Sequence, residues 1–286
     1  MGEPLIPAFN SGSKLCQQID EYKRDPQEDA FDLWWLGQSG FLIHWNGHCL
    51  LLDPYLSDSL TTKYENTDKP HTRMSERVID PMMLDQIDIV TSSHNHTDHL
   101  DADTLIPLLG KNPGIRFLIP EANRDFVAER VKCASSYPVG LTDGERVVIH
   151  PFTFHGIPSA HNEIERDAEG RCKFMGYVIR FGPFAVYHSG DTLLYDELAP
   201  LLKPFQVDVA LLPINGNVPA RRVAGNMNAD EAAWLARAID ARLAIPHHYH
   251  MFAFNTADPE TFAASAKRLG QPYKILAHGE HIRYER

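Results

Sequence analysis

The sequence predicts an α/β protein built as an internally duplicated sandwich, and three observations point there. Apolar, β-rich runs alternate with helical patterns through much of the chain, an arrangement that packs helices on a sheet. Two hairpin patterns recur, over 40–53 and 176–191, and each delivers an aspartate, Asp53 or Asp191, at its end. Between a strand pattern and a helix start, His94, His96, Asp98 and His99 fall within six residues.

Residues 1–30 read as a polar N-terminal extension, with a short surface helix over 14–23 and a loop over 24–29. The stretch 32–53 holds apolar runs joined at Asn46-Gly47, a strong hairpin signal. It stops at Asp53-Pro54, because proline cannot donate to a sheet ladder. Residues 57–80 are polar and carry Arg73 and Arg77, so they read as a lid or binding loop. A strand over 87–91 precedes the histidine run. Then follow a helix over 103–110, a strand over 116–120, a helix over 122–132 and a return strand at Tyr137-Pro138-Val139. A strand over 147–154 leads to the second hairpin. After Asp191 the pattern gives a helix over 195–202, a buried strand over 207–213 and an amphipathic helix over 229–239 with Asn228 as its cap. Strands over 243–246 and 274–280 close the chain. No low-complexity linker interrupts it, so 1–286 is read as one domain.

Composition bounds the function. Hydrophobic residues make up 43% with a mean hydropathy of -0.30, the profile of an ordinary globular protein. Lys and Arg number 27 against 38 Asp and Glu, a formal charge of -11, which argues against a general nucleic-acid binder. No apolar run reaches the roughly 18 residues of a membrane span. The first ten residues lack the pattern of an export signal, and Ile6 stands where a myristoylation signal needs a hydroxyl. Cys16, Cys49, Cys133 and Cys172 are scattered without a C-x-x-C pair, as reduced thiols in the cytoplasm would be. The expected partner is a small molecule, with no nucleic acid and no membrane; homo-oligomerisation is left open.

The spacing H-x-H-x-D-H sets imidazoles and a carboxylate at one point, a donor set that suits zinc, manganese or iron. Adjacent imidazoles have little packing use. Further candidates each follow a strand: His161, Asp191 after Ser189-Gly190, and His247 or His248 after Ala244-Ile245-Pro246. A centre of two ions needs such a set.

In this order the set resembles the metallo-β-lactamase-fold hydrolase superfamily, which implies an αββα four-layer sandwich. Carried over residue by residue, the resemblance implies that His94, His96 and His161 bind one divalent ion. Asp98, His99 and His248 would bind the other, and Asp191 would bridge them. His248 is chosen over His247 because relatives place the ligand two residues after the proline of such a strand end. Within the superfamily the chain looks most like the L-ascorbate-6-phosphate lactonase group, through Trp34-Trp35-Leu36-Gly37, Asp80-Pro81, Tyr187-His188-Ser189-Gly190-Asp191 and Met227-Asn228-Ala229-Asp230. It departs from that group over about 57–80 and 213–226. The implied activity is lactone opening on a sugar lactone or sugar-phosphate lactone by a hydroxide bridging two ions, Mn2+, Zn2+ or iron. The alternative is a phosphodiesterase like the N-acylphosphatidylethanolamine phospholipases, which share the S-H-N-H-x-D-H-L style of motif. A diiron redox module fits less well, since those relatives carry Glu where His96 stands.

Asp98 is expected to orient the nucleophile and shuttle its proton, with Asp191 also counted as catalytic. Asp53, His188 and His247 are expected to support the ligands from behind. The substrate is expected to be anionic, with Arg73, Arg77, Arg221 and Arg222 as its clamp.

Overall fold

In the computed structural model, which describes residues 4–286, strand after strand is buried on both faces. The reading of Gly2 as an unmodified residue lies outside the described residues. In chain order the elements begin with α1 (Gly12–Lys23), β1 (Ala30–Gly37), β2 (Gly40–Trp45), β3 (His48–Leu52), α2 (Ser59–Tyr64), β4 (Ile89–Thr91) and α3 (Ala102–Lys111). They continue with β5 (Arg116–Pro120), α4 (Arg124–Val131), β6 (Val139–Leu141), β7 (Arg146–Ile149), β8 (Phe152–Pro158), β9 (Met175–Phe181) and β10 (Phe184–His188). The last are α5 (Leu198–Leu202), β11 (Val209–Pro213), α6 (Ala229–Ala238), β12 (Leu243–His247), α7 (Pro259–Leu269) and β13 (His281–Glu285).

Two sheets result, a seven-stranded one ordered β13-β1-β2-β3-β4-β5-β6 and a six-stranded one ordered β12-β11-β10-β9-β8-β7. Side chains alternate along each strand, so β1 feeds two cores at once. Leu33 and Trp35 point into the core shared with the second sheet, where Phe154, Tyr177 and Ile179 lie. Trp34 and Leu36 point the other way, onto Leu15 and Ile19 of α1 and Leu105 and Leu108 of α3. The second sheet is covered on its far side by α6 and α7 through Leu235, Phe262 and Ala266. The layers run helix, sheet, sheet, helix: the fold is the αββα sandwich of the metallo-β-lactamase class.

The two hairpins head the same succession in both sheets. In the first, β2 and β3 pair antiparallel, then β4 and β5 add in parallel. In the second, β9 and β10 pair antiparallel, then β11 and β12 add in parallel. Chain leaving the carboxyl ends of these parallel strands is therefore gathered on one rim, where open α/β sheets build their sites.

Several elements differ from the sequence reading. The strand over 147–154 is two strands that reverse at His150-Pro151, with Ile149 opposite Phe152, because Pro151 has no N–H for a ladder. The closing strand lies at His281–Glu285 on the edge of the first sheet, while 274–280 is irregular around Gly279. Helix α5 starts at Leu198, three residues after the start read from the sequence. Helix α7 went unread although its signals are present: Asp258 accepts from Glu260 N, Pro259 opens the helix and Gly270 ends it at φ 64°. The Asn228 cap is a full capping box with Glu231. Among the described residues no helix is long and apolar enough to cross a membrane, and the four cysteines are free.

Candidate metal centre

Each candidate ligand sits just past a strand of the sandwich. The loop after β4 is folded by Ser92 Oγ donating to His94 O at 2.8 Å and by the amides of His99 and Leu100 donating to His96 O at 3.0 and 2.8 Å. Buried Leu100 anchors it. His161 follows β8, Asp191 follows β10 and His248 follows β12. Gly190 brings Asp191 against that loop: at φ +57° it takes a left-handed turn, and a Cβ there would stand 2.7 Å from Ser93 Cβ. His248 itself has φ 65°, a strained conformation for a residue with a Cβ, of the kind found where a side chain must be aimed.

Two groups of donor atoms form. One ring nitrogen from each of His94, His96 and His161 lies within 4.8 Å of the others, as does one ligand atom from each of Asp98, His99, Asp191 and His248. Asp191 lies between the groups. Its Oδ1 is 3.3 Å from His99 Nε2, and its Oδ2 is 3.3 Å from His248 Nε2 and 3.6 Å from His161 Nε2. His94 Nε2, His99 Nε2 and Asp191 Oδ1 are buried without a hydrogen-bond partner among the described residues. Buried polar atoms rarely go unpaired, so this convergence fits a bound cation.

The opposite ring nitrogens are occupied. Ser93 Oγ gives its proton to Asp53, so His94 Nδ1–H, 3.0 Å away, donates to Ser93 Oγ. His99 Nδ1–H donates to Asp53 Oδ2 at 2.8 Å, and His161 Nδ1–H donates to Gly225 O at 2.8 Å. All three imidazoles thus have their Nδ1 side held and their Nε2 side free to face the centre, the support that metal-ligating histidines require. Burial pushes His99 down, but Asp191 and Asp98 outweigh it and hold that ring well above the ordinary histidine range. Burial and neighbouring imidazoles hold His94 well below the ordinary histidine range, and burial with His161 brings His96 to about 4. Burial lowers His161 too, so His94, His96 and His161 are neutral and ready to bind an ion. Burial pushes His248 down as well, but Asp191 and Asp98 outweigh it and raise the ring to about 9.

The remaining candidates separate. Asp53 lies behind His99 and the loop as a hydrogen-bond acceptor. His247 turns away to Ser39 Oγ at 3.1 Å, and His188 Nε2 donates to Ser39 O at 2.9 Å; neither hydrogen-bonds to a ligand-set residue. They stack on each other beneath the site, at 5.6 Å and 21°. The four arginines do not line the cavity over the cluster. Arg73 is spent on Asp58 Oδ1 at 2.6 Å and Ser57 O at 2.5 Å. Arg77 faces a separate groove with Asp80 and Asp103. Arg221 NH1 and NH2 donate to Asn215 O and Thr256 O, and Arg222 pairs with Asp68 in solvent. Neighbouring carboxylates and carbonyls hold Arg73, Arg221 and Arg222 outside it.

The cavity, about 320 Å³, has His96, Asp98, His161, Asp191 and His248 on its floor. Its cations are Lys63 and Arg130, and Tyr64, His71, Phe252 and Phe254 wall it. Lys63 and His71 come from the 57–80 stretch read from sequence as a lid or binding loop, whereas Arg130, Phe252 and Phe254 were not singled out, because contacts between 57–80 and 249–255 are made by folding alone. Gln38 was also missed: it has φ 50° in the turn between β1 and β2, and its Nε2 donates to Asp98 Oδ2 at 2.7 Å and lies 2.9 Å from His248 Nε2. The one available signal was the Gly37-Gln38-Ser39-Gly40 turn, which the sequence reading ran through as strand.

Comparison with known proteins bears on this arrangement. Residues 48–249 match the family described as Beta-lactamase superfamily domain. A UPF0173 metal-dependent hydrolase of Opitutus terrae is 30% identical over 254 residues, covering 87% of this chain and 98% of that protein. A UPF0173 metal-dependent hydrolase of Methanosarcina mazei is 27% identical, covering 87% of this chain and 96% of that protein. In structure the chain is similar to a metallo hydrolase of the archaeon Ignicoccus hospitalis, with a TM-score of 0.66, 22% identity, and 90% and 99% of the two chains covered.

Proposed function

We propose that this chain, which belongs to the beta-lactamase superfamily and is a metal-dependent hydrolase, opens a lactone of the sugar type at a centre of two divalent ions. In this reading His94, His96 and His161 hold one ion, and Asp98, His99 and His248 hold the other. The observation that carries it is the position of Asp191, whose two oxygens reach both donor groups at 3.3 to 3.6 Å. Ions of the Mn2+ or Zn2+ class, or iron, would supply polarisation of an ester carbonyl and a water acidic enough to react near neutral pH.

The chain's own part is positioning and proton handling. Asp98 lines the cavity, and its Oδ2 is fixed by Gln38 Nε2–H at 2.7 Å. The carboxylate is held ionised: burial would raise its pKa, but His99 and His248 lower it. Asp98 is therefore suited to take the proton that an attacking water releases and to return it to the ring oxygen as the ester opens. The stretches shared with the L-ascorbate-6-phosphate lactonase group support a cyclic ester. With the four arginines outside the cavity, an anionic group on the lactone would be met by Lys63 and Arg130 instead.

Lys63 and Arg130, lining the cavity beside the cluster, support a second reading, a phosphodiesterase. Metal-loaded protein assayed on a panel of sugar lactones and bis-nitrophenyl phosphate separates the two. Ring opening with no phosphodiester cleavage supports the first; the reverse result rejects it.

A further inference from the structure

Among the residues lining the cavity, His71 is set among aromatic rings, and its hydrogen-bonding state can be deduced. His71 Nδ1 lies 3.1 Å from Lys69 O, and a carbonyl only accepts, so this nitrogen carries a proton. Burial lowers the pKa of the ring, which keeps it neutral, and Nε2 is then a lone-pair acceptor with no partner among the described residues.

The ring is fixed on all sides. It stacks on Tyr64 at 4.2 Å and 22°, and Phe254 and Phe252 meet it edge-on at 4.6 and 5.3 Å. Thr61 Oγ1 donates to His71 O at 2.8 Å, and the next residue, Thr72, accepts at O from Ala253 N at 3.0 Å. The wall is thereby tied to α2 on one side and to the chain just past His248 on the other. An aromatic surface bearing an imidazole acceptor suits a ligand with an apolar ring face and a hydroxyl at its edge.

We propose that His71 is a specificity-determining residue that accepts a substrate hydroxyl, so that a polyhydroxylated lactone lies with its C–H face against the aromatic wall of Tyr64 and Phe254. The proposal rests on the lactonase reading and narrows it to hydroxyl-bearing rings. One neutral hydrogen bond is worth about tenfold in affinity.

The test uses non-hydrolysable lactams as probes. Binding of D-glucono-δ-lactam and of δ-valerolactam to metal-loaded protein is measured by calorimetry, for wild type, His71→Phe and His71→Gln. Wild type is expected to prefer the hydroxylated lactam by about tenfold. His71→Phe should lose that preference while holding δ-valerolactam unchanged, and His71→Gln, which keeps an acceptor, should recover part of it. Equal affinities in wild type, or an equal loss for both lactams in His71→Phe with an unaltered melting temperature, would overturn the proposal. Opening of D-glucono-δ-lactone is assayed in parallel: selective lactam binding without turnover rejects the lactonase reading and leaves the subsite standing.

Discussion

The carboxylate of Asp53 receives the Nδ1 proton of His99 at 2.8 Å, with both side chains completely removed from solvent. The same carboxylate accepts from Thr91 Oγ1 at 2.9 Å, from Ser93 N at 3.0 Å and from Ser93 Oγ. One aspartate at the end of β3 therefore orients the His99 ring, steers Ser93 toward His94 and ties the histidine loop to its strand. Losing such support costs about 10–100-fold in metal affinity. Asp53→Ala should show a loss of that size in competition with a chromophoric chelator, with the fold intact by circular dichroism. An unchanged affinity would remove Asp53 from the centre.

Counting ions tests the partition of the ligand set. His161→Ala and His248→Ala each remove a donor from a different group, so each should retain close to one equivalent of metal by elemental analysis where wild type holds two. Asp191→Ala takes a donor from both and should bind both ions weakly. His247→Ala should keep the full complement, because that ring faces Ser39. Full occupancy in His248→Ala would transfer the role to another side chain.

The parts of this centre legible in the sequence were those whose signal is local. The spacing of His94 to His99 and the strand ends before Asp191 and His248 are each written within a few residues. The helix α6 and its Asn228 cap are too, since a cap and its period are local. The cavity wall is different. Tyr64 and His71 meet Phe252 and Phe254 only because 71–74 runs beside 251–253, a pairing between stretches about 180 residues apart that no periodicity encodes. The arginines were misplaced for a related reason: charge in a loop is visible in sequence, but the Asp58, Asn215 and Asp68 partners that consume it are not.

Gly190 makes a backbone prediction. It combines φ +57° with Ser93 Cβ 2.7 Å from where a Cβ would be. Gly190→Ala must either shift the histidine loop or pay for a strained turn of about 1–3 kcal/mol. The expected outcome is a lower melting temperature together with weakened metal binding. The same substitution at Gly144, also at positive φ but with open space around it, should lower stability without touching metal affinity. Matching metal affinities in the two variants would refute a role for close approach at Gly190.

Asp32 gives a pH dependence independent of the centre. Its carboxylate is buried, which by itself would raise its pKa, but His281, His44 and Arg283 hold it well below the usual aspartate range. A carboxylate whose folded pKa is depressed contributes stability that is fully present above its unfolded pKa. That contribution is lost as pH falls toward the folded value. Asp32→Asn removes the charge and should cost roughly 1.5–3 kcal/mol at pH 7, the range for hydrogen bonds to a charged group. The gap between wild type and variant should hold from neutral pH down to about 4, the ordinary aspartate value, and narrow steadily below it. Urea unfolding of both proteins, stripped of metal so that ligand protonation does not enter the difference, measures it. A gap that stayed constant between pH 7 and 3, or widened on acidification, would mean that Asp32 is not held ionised by its basic neighbours.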